Sequence, residues 1–382
     1  MKANPDHSTP SRRFAGGGET SAWPEVGELS YDEGVRARTD HLLERVADVV
    51  PQAEWPLHAP LIDAINRLKT ERNAVILAHN YMTPEIFHCV GDATGDSLKL
   101  AQLAAASDAD VIVQAGVHFM AETAKILAPT KTVLIPDLRA GCSLAASISG
   151  ADVRRIRQAY PDYPIVTYVN TSAEVKAEAD ICCTSSNAVQ VVEAVAAQWG
   201  SDTVILIPDE YLAKNVASQT AVRILTWKGA CEVHERFTAE EIAQLRSEHP
   251  DAMIITHPEC PPDVLKAADF AGSTGDMAAF VRDQAPPTAI LITECSMSDN
   301  VAVENPGTRF IRPCNLCPHM KTISLAGIYE SLRRLRFEVE VDPDVAKRAR
   351  SSVQAMLDLP LAAKPPTFDT RRPLAAADYV TV

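Results

Sequence analysis

The sequence predicts an α/β protein built from three small parallel-sheet α/β sandwich domains, related by pseudo-threefold symmetry around a central active site. Three observations predict it. Three apolar strands, AVILAHNY, PIVTYVNT and AMIITHPE, end in polar residues, and the steps from His79 to Tyr168 and from Tyr168 to His257 are both 89 residues. Each strand end carries a polar pair at i and i+2: His79 with Tyr81, Tyr168 with Asn170, and His257 with Glu259. Residues two apart on a strand share a face, so each pair aims at one place. The strands are continuous β-branched runs alternating with helical stretches, the pattern of parallel sheets covered on both faces. The alternative is one long doubly wound domain whose equal spacing is accidental.

The units repeat beyond the first strand. DADVIVQAGVHFMAETAKI, EADICCTSSNAVQVVEAV and AADFAGSTGDMAAFV each read as a buried strand, a Gly/Ser/Thr turn and an amphipathic helix. TVLIPD, TVILIPD and TAILITE then read as a third strand in each unit. PLIDAINRLKTE opens the first unit as a helix, with Leu61, Ile65 and Leu68 on one stripe. This gives a flexible N-terminal extension over 1–55, units over 56–146, 147–233 and 234–317, and a C-terminal helical segment over 318–382 that packs back on the repeats. The last stretch, about 20 residues of Pro/Ala-rich sequence, reads as a tail. In open parallel sheets the active residues lie beyond the carboxyl ends of strands, so three such ends on one axis make one site.

Composition excludes several classes of function. A formal net charge of −14 over 382 residues, with no basic stripe interleaved with aromatics, argues against nucleic acid or an anionic membrane as partner. No apolar run reaches the length of about 18 residues that a membrane span needs. The opening MKANPDHSTPSRRFAGGGETS lacks the apolar core of a secretory signal. Nine cysteines, an odd count, fit a reducing cytoplasm better than a disulfide scaffold.

Three of those cysteines keep step with the repeat. Cys142, Cys231 and Cys317 are separated by 89 and 86 residues, each just past the third strand of its unit. One thiolate per unit on a common axis makes a three-cysteine site, and Gly141 and Gly229 allow close approach of something bulky. Structural zinc wants four ligands. A cubane iron–sulfur cluster given three thiolates keeps one iron open as a Lewis acid. Three buried structural cysteines are the plain alternative.

The run ILAHNY, GDSL, GVHFMAETAKIL, GCSLA, TYVNT, CTSSNA, HPEC, GSTGDM and CPHMK, from about residue 60 to about residue 335, closely resembles quinolinate synthase. The resemblance implies three α/β domains around one [4Fe-4S] cluster per chain, held by Cys142, Cys231 and Cys317. It implies condensation of iminoaspartate with dihydroxyacetone phosphate to give quinolinate, phosphate and water on the route to NAD, with an aspartate-oxidising enzyme as supplier of the imine. Cys317 is preferred to Cys314 because Pro318 and Met320 follow it as in the family. Cys314 is then a bystander, or a thiol that pairs with Cys317 once the cluster is lost, and Cys295 is a core residue near the cluster.

The same resemblance assigns His79 and Tyr81 to proton transfer on the triose and Glu259 to the general base. Ser97, Tyr168, Asn170, Ser185, His257 and Thr274, together with His79 and Glu259, become substrate contacts. Ser, Thr and Gly ahead of a helix also expose backbone N–H groups to an anion, although ordinary helix capping uses the same residues. Phe119 and Met120 read as shape and water exclusion, and His234 as a neighbour of the cluster. Two rivals remain: a zinc-dependent hydrolase with Glu259 as base, and a non-catalytic iron–sulfur sensor.

Overall fold

In the computed structural model, which describes residues 23–360, 368–370 and 379–381, the chain forms three separate, all-parallel sheets. The first contains β1 (Ala74–His79), β2 (Ala93–Gly95), β3 (Val111–Ala115) and β4 (Thr132–Leu134). The second contains β5 (Ile165–Tyr168), β6 (Ile181–Cys183), β7 (Thr203–Ile207) and β8 (Arg223–Thr226). The third contains β9 (Met253–Thr256), β10 (Phe270–Ala271), β11 (Thr288–Ile292) and β12 (Arg309–Ile311). Within each sheet the first strand lies between the second and the third, with the fourth outside the third. The central strands are buried on both faces, as in Val111–Ala115 and Thr203–Ile207, which is why they read as unbroken apolar runs.

This topology corrects the alignment within the first unit. VIVQA (β3) occupies the place of β7 and β11, and TVL (β4) that of β8 and β12. The true counterpart of ICC and FA is the three-residue strand β2, in the sequence GDATGDS. Each unit therefore has four strands, and the three phased cysteines follow the fourth strand rather than the third. Ser97, Ser185 and Thr274 now fall on equivalent turns, 18, 17 and 17 residues after His79, Tyr168 and His257.

The flanking segments are more ordered than expected. Residues Glu33–Val46 form a helix where the sequence suggested a flexible extension. Asp32 caps it, and Arg38 ties it to the buried Asp63 at 2.5 Å. Further on, Trp55–Glu71 is one helix whose buried stripe includes Ile62, Ile65 and Leu68, with Leu61 only partly buried. After the third sheet, Leu325–Arg334 packs on that helix, and the strand-like residues at Glu338 pair antiparallel with Leu134. The helix Pro343–Asp358 then covers Ala173–Glu178 and β6, so the C-terminal segment packs on both the first and the second unit. The expected tail also contributes: Phe368 bridges to Ala271, and Tyr379–Thr381 adds a parallel fifth strand beside β8.

Candidate active site

The strand ends converge as the repeat requires. His79, Tyr81, Tyr168, Asn170, His257 and Glu259 all line one central cavity. Ser97, Ser185 and Thr274 line it from the three equivalent turns, and Cys142, Cys231 and Cys317 line it as well. All twelve residues singled out in the sequence are thus brought together. Phe119 is in the wall, whereas Met120 faces a smaller cavity beside it.

Helix capping does not explain the hydroxyls of Ser97 and Thr274. Both stand at the first helical position, and the caps are made by the residues before them: Asp96 accepts from the Lys99 N–H and Ser273 from the Asp276 N–H. Thr274 is 3% exposed and its Oγ1 accepts from Asn80 Nδ2 at 2.9 Å. Their position at helix starts points backbone N–H groups and hydroxyls into the cavity, a setting that favours anionic groups.

A chain of hydrogen bonds crosses the cavity floor. Tyr168 donates to Glu259 Oε1 at 2.5 Å, and His234 Nδ1 lies 2.7 Å from Glu259 Oε2. Thr293 Oγ1 is 2.9 Å from His234 Nε2 and 2.6 Å from the Tyr81 hydroxyl. One proton arrangement satisfies the whole chain: Tyr81 donates to Thr293, Thr293 to His234 Nε2, and His234 Nδ1 to Glu259. His234 and Thr293 complete this path, and Thr293 is not among the residues expected from the sequence. Its only signal was its place at the end of β11, directly before the helix Cys295–Glu304.

Burial sets the charges. His79 is pushed down to about 4 by burial, against the attraction of Glu259. His257 is likewise pushed down to about 3 by burial. Both are therefore neutral at pH 7. Burial alone would raise Glu259, but His257, His234 and the Tyr168 hydroxyl outweigh it and hold the carboxyl below its usual range. Burial, with Glu259 nearby, drives Tyr81 and Tyr168 well above 10, so both phenols keep their protons. The Glu259 carboxylate thus lies among neutral imidazoles at His79 and His257 and protonated phenols at Tyr81 and Tyr168.

Cys142, Cys231 and Cys317 face the same cavity and are the thiols there that could hold a metal centre. Burial pushes the Cys142 thiol up to about 12 and raises those of Cys231 and Cys317, so each is held as a neutral thiol that a metal would convert to thiolate. The loops bearing them are fixed from behind. A Cβ on Gly229 would come within 2.5 Å of Ser147 Oγ and 2.6 Å of the Pro208 carbonyl. Lys321 reaches Glu294 Oε1 at 3.0 Å, the Ser296 hydroxyl, and the Tyr81 carbonyl at 3.1 Å, tying the Cys317 loop to the turn of the first unit. Cys231, His234 and Glu259 also present ligand atoms within 4.8 Å of one another.

Two cysteines depart from expectation. Cys314 forms a disulfide with Cys295, not a pair with Cys317, so neither Cys314 nor Cys295 is a free thiol. The parallel bridge between Glu294 and Asn315 brings the start of the helix Cys295–Glu304 against the loop before Cys317, which places the two sulfurs side by side. Neither residue lines the cavity.

Fold and site together define an enzyme class built from three α/β units that each send a thiol and an acid–base strand end to one cavity. The comparisons with known proteins specify it. Residues 63–358 match the family model described as NadA, quinolinate synthetase A protein, and the chain belongs to that family. It is 61% identical over 335 residues to the quinolinate synthase of Caulobacter vibrioides, covering 88% of this chain and 91% of that protein. It is 62% identical over 316 residues to quinolinate synthase 2 of Mesorhizobium japonicum, covering 83% and 96%. It is 57% identical over 335 residues to the enzyme of Sinorhizobium medicae, covering 88% and 92%. Family membership implies an iron–sulfur cluster. No helix among the described residues is long and apolar enough to cross a membrane.

Proposed function

We propose that the chain condenses iminoaspartate with dihydroxyacetone phosphate to give quinolinate, phosphate and water, in the cytoplasm, with an aspartate-oxidising enzyme supplying the imine. The observation that carries this is the meeting of three cysteines, one from each of the units 56–146, 147–233 and 234–317, with three acid–base strand ends in one cavity. Cys142, Cys231 and Cys317 would hold a [4Fe-4S] cluster, which would supply Lewis acidity for the loss of water.

The chain's own residues do the rest. Ser97, Ser185 and Thr274, with their helix starts, hold the phosphate and carboxylates. Tyr168 and Asn170 orient the dicarboxylate, and His257 lines its side of the cavity. His79 and Tyr81 move protons beside the triose carbonyl, His79 as a neutral imidazole and Tyr81 as a protonated phenol. Glu259 accepts a carbon-bound proton. In the free site its donors hold it weakly basic, and a substrate that displaces Tyr168 or His234 from it raises its basicity. The hydrogen-bonded path through His234 and Thr293 couples Glu259 to Tyr81.

The Cys231, His234 and Glu259 cluster favours a second reading, a single zinc ion in a hydrolytic enzyme. In the free protein, however, His234 Nδ1 is engaged by Glu259. Anaerobic purification separates the two. The proposal expects a brown protein carrying iron and sulfide, about four of each per chain, that makes quinolinate from dihydroxyacetone phosphate and fresh iminoaspartate. A colourless zinc protein without quinolinate formation would overturn it.

A further inference from the structure

We infer that Lys176 is a positioning residue of this site, clamping the turn that carries Tyr168 and Asn170 against the Phe119 ring of the neighbouring unit. Lys176 lies on the helix Ala173–Glu178, is 0% exposed, and is the one buried lysine among the described residues. Its ammonium donates to the Thr171 carbonyl and sits 5.5 Å from the centroid of Phe119. Thr171 passes the constraint on: its hydroxyl donates to the Tyr168 carbonyl at 2.9 Å and lies 3.2 Å from Thr167 Oγ1. One ammonium thus fixes the backbone from Tyr168 to Thr171, whose side chains Tyr168 and Asn170 both meet Glu259 Oε1.

The other half of the clamp is Phe119, in the first turn of the helix His118–Leu127 of the first unit. Its ring borders the central cavity, the small inner cavity and an outer groove that reaches Cys142, so it is the partition between them. A cation over an aromatic face is held by the ring quadrupole, most strongly where water is excluded. Beside it, the Ala173 N–H donates to Glu122 of the same helix at 3.0 Å, a second bond across the two units. Behind it, Ser352 donates to the Lys176 carbonyl at 2.7 Å.

Stability does not account for the charge. An apolar side chain of similar volume in place of a buried ion is commonly neutral or stabilising. Burial also works against the ammonium, lowering its pKa. What a methionine could not do is hold the Thr171 carbonyl and the Phe119 face at once. The side chain Asn170 supports this, because its Oδ1 is buried without a partner in the cavity wall, poised for a donor that arrives with the ligand.

The inference rests on the proposed reaction, and its test keeps the two apart. Lys176→Met is compared with wild type for thermal stability, steady-state kinetics and calorimetric binding of quinolinate. The expected result is an unchanged or higher Tm, a KM for iminoaspartate raised about tenfold with kcat within about threefold, and quinolinate bound about tenfold more weakly, since loosened orientation of a ligand alone costs this much. Unchanged KM and quinolinate affinity would overturn it, whatever happens to Tm. If Lys176→Met does not fold, Thr171→Val carries the test, because it cuts the link to Tyr168 while leaving the ammonium and its acceptor in place. The same rise in KM is expected, and wild-type values would overturn the inference. A wild-type enzyme that makes no quinolinate would instead refute the proposed reaction.

Discussion

Thr293→Val probes the hydrogen-bonded chain with the least change of shape. Thr293 is 0% exposed and its hydroxyl joins Tyr81 at 2.6 Å to His234 at 2.9 Å. The valine removes that hydroxyl and leaves two buried polar groups unpaired, each worth about 1–3 kcal/mol. Tyr81 and His234 Nε2 are already 3.4 Å apart and can close on each other, which recovers part of the loss. A net cost of about 2 kcal/mol lowers Tm by roughly 2–3 °C in a chain of 382 residues. The effect on turnover is larger, because the path between Tyr81 and Glu259 is cut. Loss of acid–base relay predicts kcat about 10²-fold lower, equivalent to about 2.7 kcal/mol of barrier. The assay is quinolinate formation under anaerobic conditions, well below the variant's Tm and normalised to iron content. Thr293→Ser, which keeps the hydroxyl, stays within a few-fold of wild type. A Thr293→Val enzyme with iron-normalised kcat within threefold of wild type would refute the relay.

Three further outcomes follow from the geometry. Cys317→Ser loses iron and activity, whereas Cys314→Ser keeps both, because Cys314 is joined to Cys295 outside the cavity; iron analysis of the two variants checks this. Gly229→Ala is destabilised by about 1–3 kcal/mol and loads less iron, since its Cβ meets the Pro208 carbonyl at 2.6 Å, whereas Gly307→Ala, with nothing within 4 Å, is neutral in the same denaturation assay. Stability also falls as pH drops from 6.5 towards about 4. The unfolded chain then protonates a histidine that the fold keeps neutral at His79, a depressed folded-state value of about 4 that contributes fully only above 6.5 and amounts to about 3 kcal/mol. Urea unfolding of cluster-free protein at pH 7.5 and 5 should show the loss, and His79→Asn should reduce it.

Much of this site was legible because the repeat is covalent. Equal steps of 89 residues and the i, i+2 pairs at three strand ends were enough to place six residues in one cavity. The alignment inside the first unit failed for a physical reason. Its second strand, Ala93–Gly95, is short, half-exposed and made of Ala, Thr and Gly, whereas Val111–Ala115 is fully buried and reads as the stronger strand. Burial gives a sequence signal; a three-residue edge strand gives almost none. The relay was out of reach for another reason. His234 and Thr293 lie 59 residues apart on elements that no periodicity relates, one before the helix Ala239–Glu248 and the other at the end of β11, and only the folded chain brings them together. The Cys295–Cys314 disulfide was missed likewise, since its partners become neighbours through the bridge between Glu294 and Asn315. Lys176 was invisible as well: a lysine on a short helix reads as a solvated face until the helix Pro343–Asp358 is seen to cover it.

The most direct measurement is an anomalous iron map from crystals of anaerobically purified protein. A four-iron cluster bound to the sulfurs of Cys142, Cys231 and Cys317, and to no other protein atom, is the predicted result. A single metal ion on Cys231, His234 and Glu259, or a fourth protein ligand on the cluster, would contradict it.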